Sequence, residues 1–255
     1  MGICLVLGGG GARGIAHVGA IRVLVENNIP IDSIVGTSAG AMIGGMFAYN
    51  PDIDCLESFI LKSRKRHVVT RDWLTFKGFS NGKAYVKHMN KYLKGAEFSD
   101  LKIPFTALAA DLNTGELVPI NEGSVAMAQL CSSALPPIYA PVEHIGRTLV
   151  DGGCIESVGA DYARTITADD TPVIAVQVGI NFSEKKPKTV RSIMYNFVQI
   201  RTVYFDALCA KSADVMIRPD IPGCNILDDS DKKGYIQKGR EATLMQIEKI
   251  KQLLG

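Results

Sequence analysis

"ICLVLGGGGARGIAHVGAIRVL", residues 3–24, opens with an unbroken apolar run, crosses four glycines and continues at a new spacing. Residues 3–8 read as a strand buried on both faces, the usual state of a strand inside a parallel sheet. From Gly14 onward apolar residues recur at Ile15, Val18, Ile21 and Val25, which is the period of a helix with one covered face. Asn27, Asn28 and Pro30 end that helix. A strand, glycines and a helix in this order aim backbone N–H groups at a negative charge. Gly9-x-Gly11-x-x-Gly14 fits the phosphate loop of a dinucleotide site, and it also fits an oxyanion hole. The residues around the second strand decide between them.

That second short strand, "SIVG" (33–36), runs directly into the small-residue helix "TSAGAMIGGMFAY" (37–49). A dinucleotide site needs an acidic residue after this strand; Asp32 lies before it. What stands after it is Gly36-Thr37-Ser38-Ala39-Gly40, a G-x-S-x-G at a strand-to-helix turn. Small flanking residues let such a turn present the Ser38 hydroxyl at the sheet edge. The helix N-terminus there favours a developing alkoxide. Neighbouring parallel strands bring their C-terminal ends together, so the glycine N–H groups are expected to face the Ser38 oxygen. A nucleophile beside oxyanion donors suits acyl transfer.

A serine nucleophile needs a base. The chain has four histidines, His17, His67, His88 and His144, which read as a packed helix residue, a loop, a polar helix face and a turn. The better-placed group is Asp151 in "RTLVDGG" (147–153), where an apolar strand ends in a carboxylate followed by Gly152 and Gly153. Asp-Gly is also ordinary turn chemistry. Beside an otherwise unpartnered Ser38, Asp151 is the preferred base.

Taken in order, "GGGARG", "GTSAG" and "DGG" resemble the motifs of the patatin-like phospholipases, which use a Ser–Asp dyad without histidine. "ADLNTGELVPINEG" (110–123), "CSSALPPIYAPV" (131–142) and "TPVIAVQV" (171–178) extend the likeness over most of the chain. The resemblance implies a three-layer α/β sandwich around a central, mostly parallel β-sheet. It implies hydrolysis of an acyl ester in a phospholipid, lysophospholipid or related lipid, with no metal or organic cofactor. Ser38 is then the nucleophile and Asp151 the base. Gly36, Thr37, Ala39 and Gly40 form the elbow, and the loop Gly9, Gly10, Gly11, Ala12, Arg13, Gly14 forms the oxyanion hole. Arg13 either holds this loop or engages substrate phosphate. After the aspartate the family often continues with a pair of Asn and then Pro, where this chain has Glu156-Ser157-Val158-Gly159. The departure is expected to alter the rim of the site and to leave the chemistry intact.

The remaining segments fit one α/β domain over residues 1–255, with parallel strands and right-handed crossovers. Asp52 caps a helix expected to reach about Arg66; Tyr85, Met89 and Leu93 mark another. Residues 104–120 read as a hairpin turning at Asn113-Thr114-Gly115, and "DVMIRP" (214–219) as an outer strand. A long helix from about Lys233 closes the chain, with Leu244, Ile247, Ile250 and Leu254 on one face. The segment 67–83 carries Trp73, Phe76 and Phe79, which read as an acyl-binding lid or membrane contact, or as core packing under a loop. Just before it Lys62, Arg64, Lys65, Arg66 and His67 form the densest basic cluster, a solvated helix end or a patch for an anionic lipid surface.

A net charge of +2 gives no case for a nucleic-acid binder. Six scattered cysteines with no C-x-x-C pair read as reduced thiols of a cytoplasmic protein. The sequence carries no recognisable leader and no apolar run of transmembrane length, so peripheral contact with the inner membrane surface is the most that is expected. Rival readings stay defined: a Ser–His–acid hydrolase, an acyltransferase on the same dyad, or a lipid-binding protein without turnover.

Overall fold

The computed structural model describes residues 2–70, 78–179, 187–221 and 227–255. β1 (Ile3–Leu7) is buried along its whole length. Its side chains alternate between two cores: Ile3, Leu5 and Leu7 enter the larger, Cys4 and Val6 the smaller. That alternation is why an unbroken apolar run is required here. A 3-10 turn (Gly11–Ile15) leads into α1 (Ala16–Glu26), then come β2 (Ile31–Thr37) and α2 (Ala39–Tyr49). The chain continues through α3 (Ile53–Lys62), α4 (Lys65–Val68) and α5 (Lys83–Leu93) to β3 (Phe105–Asp111), β4 (Leu117–Ile120) and α6 (Val125–Ser132). Next are β5 (Val142–His144), β6 (Arg147–Asp151), α7 (Ala160–Ile166) and β7 (Val173–Val176). α8 (Val190–Cys209), β8 (Val215–Ile217), α9 (Lys232–Leu244) and α10 (Ile247–Leu254) complete the described elements.

The eight strands form one mixed sheet in the order β5-β6-β3-β2-β1-β7-β8, with β4 paired to β3. β3, β2, β1, β7 and β8 run parallel, and β4, β5 and β6 add antiparallel pairs at one side. Helices cover both faces, which gives the expected three layers around a largely parallel sheet. Residues of α1, α2, α5 and α6 fill the larger core, and Ala160 and Ala163 of α7 close the smaller one. α9 lies on α1 so closely that a Cβ on Gly239 would overlap the Ala16 carbonyl, and one on Gly19 the Ile236 carbonyl.

One detail of register builds the site. Thr37 at the end of β2 lies opposite Leu108, and Asp151 at the end of β6 lies opposite the next residue, Ala109. β4 takes the other edge of β3 across residues 107–110. β2 and β6 therefore approach one edge of β3 from opposite directions and meet at neighbouring positions. Ser38 follows Thr37, so nucleophile and carboxylate are brought together although 113 residues separate them.

Several boundaries differ from the sequence reading. The helix capped by Asp52, whose carboxylate accepts from Asp54 N and Cys55 N, ends at Lys62 rather than about Arg66. There Ser63 turns extended, its hydroxyl bonds the Phe59 carbonyl, and Lys232 Nζ donates to the carbonyls of Ile60 and Ser63. β2 begins at Ile31, so Asp32 lies inside the strand, where it accepts from Gly2 N at 2.6 Å. It still stands at the strand's opening end, away from the site. The closing helix breaks between Leu244 and Ile247; Leu244 faces solvent while Ile247 and Ile250 are buried. His144 closes strand β5 rather than standing in a turn. The helices α6, α7 and α8 have no counterpart in the sequence reading. Among the described residues, no helix is long and apolar enough to cross a membrane.

Candidate active site

The glycine loop is held by bonds made by its own backbone. Gly8 N donates to Val176 O and Gly9 N to Ser157 O, each at about 3 Å, and His17 Nε2 bonds Gly8 O at 2.8 Å. Gly11 has φ 58°, a left-handed conformation that favours glycine. Gly10, Gly11 and Ala12 begin the 3-10 turn, where N–H groups lack intrahelical partners. Among the described residues these three N–H groups donate to no protein acceptor. Gly9 N–H is already engaged, and Gly14 packs against Ala39. Arg13 is buried and bonds Gly10 O through Nε at 3.3 Å, so it braces the loop from within.

Ser38 sits between β2 and α2 with φ 55° and ψ −119°, a strained conformation for a residue with a side chain. The surroundings hold it there. Ser132 Oγ accepts from Ser38 N at 2.8 Å and donates to Leu108 O at 2.6 Å; Ser133 Oγ donates to Ser38 O at 3.2 Å. A Cβ on Gly40 would overlap the Leu7 carbonyl, so α2 can start this close to β1 only with glycine. Buried Thr37 donates to Glu156 O. Ser38 N–H is taken by Ser132, whereas the N–H groups of Gly10, Gly11 and Ala12 are free to donate among the described residues.

The Ser38 hydroxyl donates to Asp151 Oδ2 at 2.6 Å. Asp151 is 5% exposed, and its other oxygen accepts from Gly153 N at 2.8 Å. Burial pushes its carboxyl up to about 6, opposed by the bonds from Ser38 and Gly153. A carboxylate so placed is a stronger base than an exposed one and is still ionised at neutral pH. A Cβ on Gly152 would overlap Leu108 O, which is why the strand can turn away tightly after the carboxylate.

All four histidines lie among the described residues, and their partners are elsewhere than Ser38. His17 is fully buried on Gly8 O, and burial lowers it to about 4, so it is neutral and donates from Nε2. His88 bonds Ser63 Oγ at 2.8 Å and stacks on Phe59; His67 lies against His88, with ring centroids 4.8 Å apart. His144 pairs across the β5–β6 hairpin with Arg147.

Ser38 and Asp151 open into a cavity of about 170 Å³. Gly11 and Ala12 border it, and Met42, Ile60, Val68, Met89, Leu135 and Ile138 make it apolar. Phe79 is 49% exposed and is not among the lining residues; Trp73 and Phe76 lie outside the described residues. Among the described residues the apolar wall comes from α2, α3, α5, the segment after α6, and Val68 and Val69 at the start of the segment 67–83. Sequence reasoning also missed Ser132 and Ser133, which fix the elbow, and the backbone of Glu156 and Ser157, which ties Thr37 and Gly9 together. The serines stand in "CSSALPP" (131–137); nothing local marks them as partners of Ser38. Glu156 accepts from Asp161 N and Tyr162 N at the start of α7, so the departure from the family pattern is part of the packing.

The site thus holds a strained serine bonded to a buried carboxylate, with Gly11 and Ala12 of the glycine loop on the same cavity wall. A model of the patatin-like phospholipase family matches residues 5–164, more than half of the chain and all of the motif residues. The chain belongs to that family. It is 31% identical over 196 residues to human patatin-like phospholipase domain-containing protein 6, a match covering 69% of this chain and 13% of that protein. It is 29% identical over 221 residues to an uncharacterized NTE family protein of Mycobacterium tuberculosis, covering 82% and 59%. The chain thus matches less than two thirds of the length of these relatives. In fold it is similar to VipD from Legionella pneumophila, with a TM-score of 0.59 at 16% identity, over 97% of this chain and 67% of that one.

Proposed function

We propose that this patatin-like protein hydrolyses acyl esters of phospholipids, lysophospholipids or related lipids through Ser38 and Asp151. The observation that carries the reading is the 2.6 Å bond from Ser38 Oγ to a buried carboxylate, on the wall of an apolar cavity. Asp151 takes the hydroxyl proton as Ser38 Oγ attacks the acyl carbonyl. The carbonyl oxygen becomes an oxyanion, held by N–H groups of Gly10, Gly11 and Ala12. When the tetrahedral intermediate collapses, the C–O bond to the alcohol breaks and Asp151 returns the proton to the leaving oxygen. Water, deprotonated by the same carboxylate, then attacks the acyl-serine and frees the fatty acid. The apolar cavity takes the acyl chain, and substrate is drawn from a membrane or micelle by peripheral contact.

The test is hydrolysis of short- and long-chain p-nitrophenyl esters and a lysophospholipid by wild type, Ser38→Ala, Asp151→Asn and His17→Ala. Activity is expected in wild type, lost in the first two variants and retained in part in the third. An acid-side pH profile that disappears in folded His17→Ala would replace Asp151 by histidine as the base. Absence of turnover in wild type would leave a lipid-binding role. Acyl transfer to an added alcohol, without release of fatty acid, would point to an acceptor other than water.

A further inference from the structure

The basic cluster before residue 67 does not lie on a free helix end. It lines a cleft of about 780 Å³ between the α3–α4 turn and the start of α9. Arg64, Lys65 and Arg66 come from one side and Lys232 and Lys233 from the other, more than 160 residues away in sequence. Ser63, Arg64, Lys65, Val69, Asp229 and Lys232 border both this cleft and the Ser38 cavity, so the two are immediate neighbours that share these residues as a wall.

Among the described residues the charges in the cleft do not cancel. The carboxylates among its described lining residues are Asp229 and Asp231. Asp231 caps α9 by accepting from Gly234 N. Asp229 accepts from Lys65 N at 3.2 Å and lies 3.6 Å from Lys232 Nζ, which itself donates to the carbonyls of Ile60 and Ser63. Asp229 and Lys232 therefore brace the rim. Arg64, Lys65, Arg66 and Lys233 form no ion pair with any described residue. Asp228, near enough to feel Lys65, is bonded to Ser230. The surplus acts on its neighbours: Arg66, Lys91, Arg64 and Lys232 add to desolvation in lowering His67, and Lys91 and Lys232 act likewise on His88.

A glycerophospholipid carries an acyl ester and a phosphate on one short glycerol frame. It needs a nucleophile and an apolar wall with a cationic rim beside them. Arginine binds phosphate oxygens through paired N–H donors, and lysine adds point charge. A choline headgroup brings its own cation against Arg66 and Lys233; a phosphomonoester or phosphoglycerol headgroup does not. We propose that the cleft of Arg64, Lys65, Arg66 and Lys233 is a phosphate subsite that selects anionic (lyso)phospholipids for the Ser38 cavity. The proposal rests on the lipid-ester reading above for its substrate, and on the cleft alone for its ligand.

The test has two arms, each on the full chain, with wild type, Arg66→Gln/Lys233→Gln and the conservative Arg66→Lys. In the first, titration calorimetry follows glycerol 3-phosphate, inorganic phosphate and neutral glycerol on the catalytically silent Ser38→Ala background. Saturable binding of the first, weakened about tenfold or more in the double variant and kept in Arg66→Lys, is expected. In the second arm, kcat/KM is compared for lysophosphatidic acid, lysophosphatidylcholine and monoacylglycerol of one chain length. The anionic lipid is expected to lead, with its advantage cut about tenfold or more by the double variant. Equal ratios in wild type and double variant would overturn the proposal. So would inorganic phosphate that binds without competing with the lysolipid, which would leave a free-anion site. Binding only to anionic vesicles, and not to glycerol 3-phosphate, would make the cluster a membrane patch and overturn the subsite. If no ester is turned over, the hydrolase reading fails, while the first arm still decides whether the phosphate site exists.

Discussion

The floor of the Ser38 cavity and the rim formed by the adjoining cleft carry opposite charges. On the floor, Asp151 is buried with only a hydroxyl and one backbone N–H for company, and no described lysine or arginine pulls its pKa back down. On the rim, Arg64, Lys65, Arg66 and Lys233 form no close ion pair with any described residue, and Lys65 only feels Asp228 at longer range. Some charges elsewhere find one another, as where Arg240 grips Glu26 through two bonds at 2.9 Å. An unpaired charge is costly to keep in a fold, more so when buried. The two lie in neighbouring cavities that share a wall. On the proposed reading, the floor tunes a base by desolvation, while the rim offers a hydrated field that a ligand can neutralise.

The sharpest way to break this division of labour is to remove the floor's nucleophile. Ser38→Ala is expected to lower ester hydrolysis by about 10⁴-fold or more, with unchanged circular dichroism and unchanged phosphate binding. Residual turnover near wild type would move the chemistry away from the floor.

Asp151→Asn is expected to cost about 10³- to 10⁴-fold, as loss of a positioned base does. Its second effect has the opposite sign. The carboxyl sits at about 6 in the folded chain against an ordinary value of 3.8, so the folded state holds this proton more tightly than the unfolded state. Stability from this group is present below about pH 4 and is lost as pH rises through about 6. At pH 8 the asparagine variant should therefore be more stable than wild type, by up to about 3 kcal/mol at about 1.36 kcal/mol per pH unit. The gap should close toward pH 4 in thermal melts. Over the same range wild-type kcat/KM should fall as pH drops below about 6. A variant less stable at pH 8 would mean that contacts hold Asp151 in place at no net cost to the fold.

How much of this is legible in the sequence depends on how local each device is. The floor is spelled in short runs. Glycines, serine and aspartate each stand at a strand end; parallel β1 and β2 bring the first two together, while the aspartate arrives on antiparallel β6, which meets β2 along one edge of β3. The fold is readable for the same reason, since β1 has to satisfy two cores at once. The rim is assembled from residues distant in sequence. No local pattern says that Lys232 will take the carbonyls of Ile60 and Ser63, stop α3 four residues early and turn a basic run into a cleft wall. α8 escapes for a different reason. Val190, Ile193, Met194, Phe197, Ile200 and Tyr204 recur at helical spacing, so the signal is present, though that face is exposed. Phe79 shows the converse, an aromatic residue in a polar loop that lies outside the cavity lining while Val68 and Val69 of the same segment belong to it.

The oxyanion donors can be tested one at a time. A Cβ on Gly10 would overlap Val178 Cγ2, and Gly11 has φ 58°. Either alanine substitution should displace one N–H and cost about 10²- to 10³-fold in kcat, the size of a lost oxyanion donor. KM for a short ester should change little, because the ground-state carbonyl gains less from these donors than the oxyanion does. A purely stability-linked loss would track melting temperature instead.

The smallest expected effect on rate is also the one that separates the elbow's geometry from its chemistry. Ser132 Oγ is buried between Ser38 N and Leu108 O, accepting from one and donating to the other. Ser132→Ala leaves both backbone groups without that partner, at a cost of about 1–3 kcal/mol in folding stability. The Ser38 backbone is held at φ 55° partly by this bond, so the hydroxyl should lose its alignment with Asp151 and activity should fall about tenfold. The acid-side pH dependence should stay where it is, because the carboxylate keeps its burial. Ser132→Thr, which retains the hydroxyl, should recover much of the stability if the added methyl is accommodated. A shifted pH profile in Ser132→Ala would instead place Ser132 in the proton path and not only in the frame that holds Ser38.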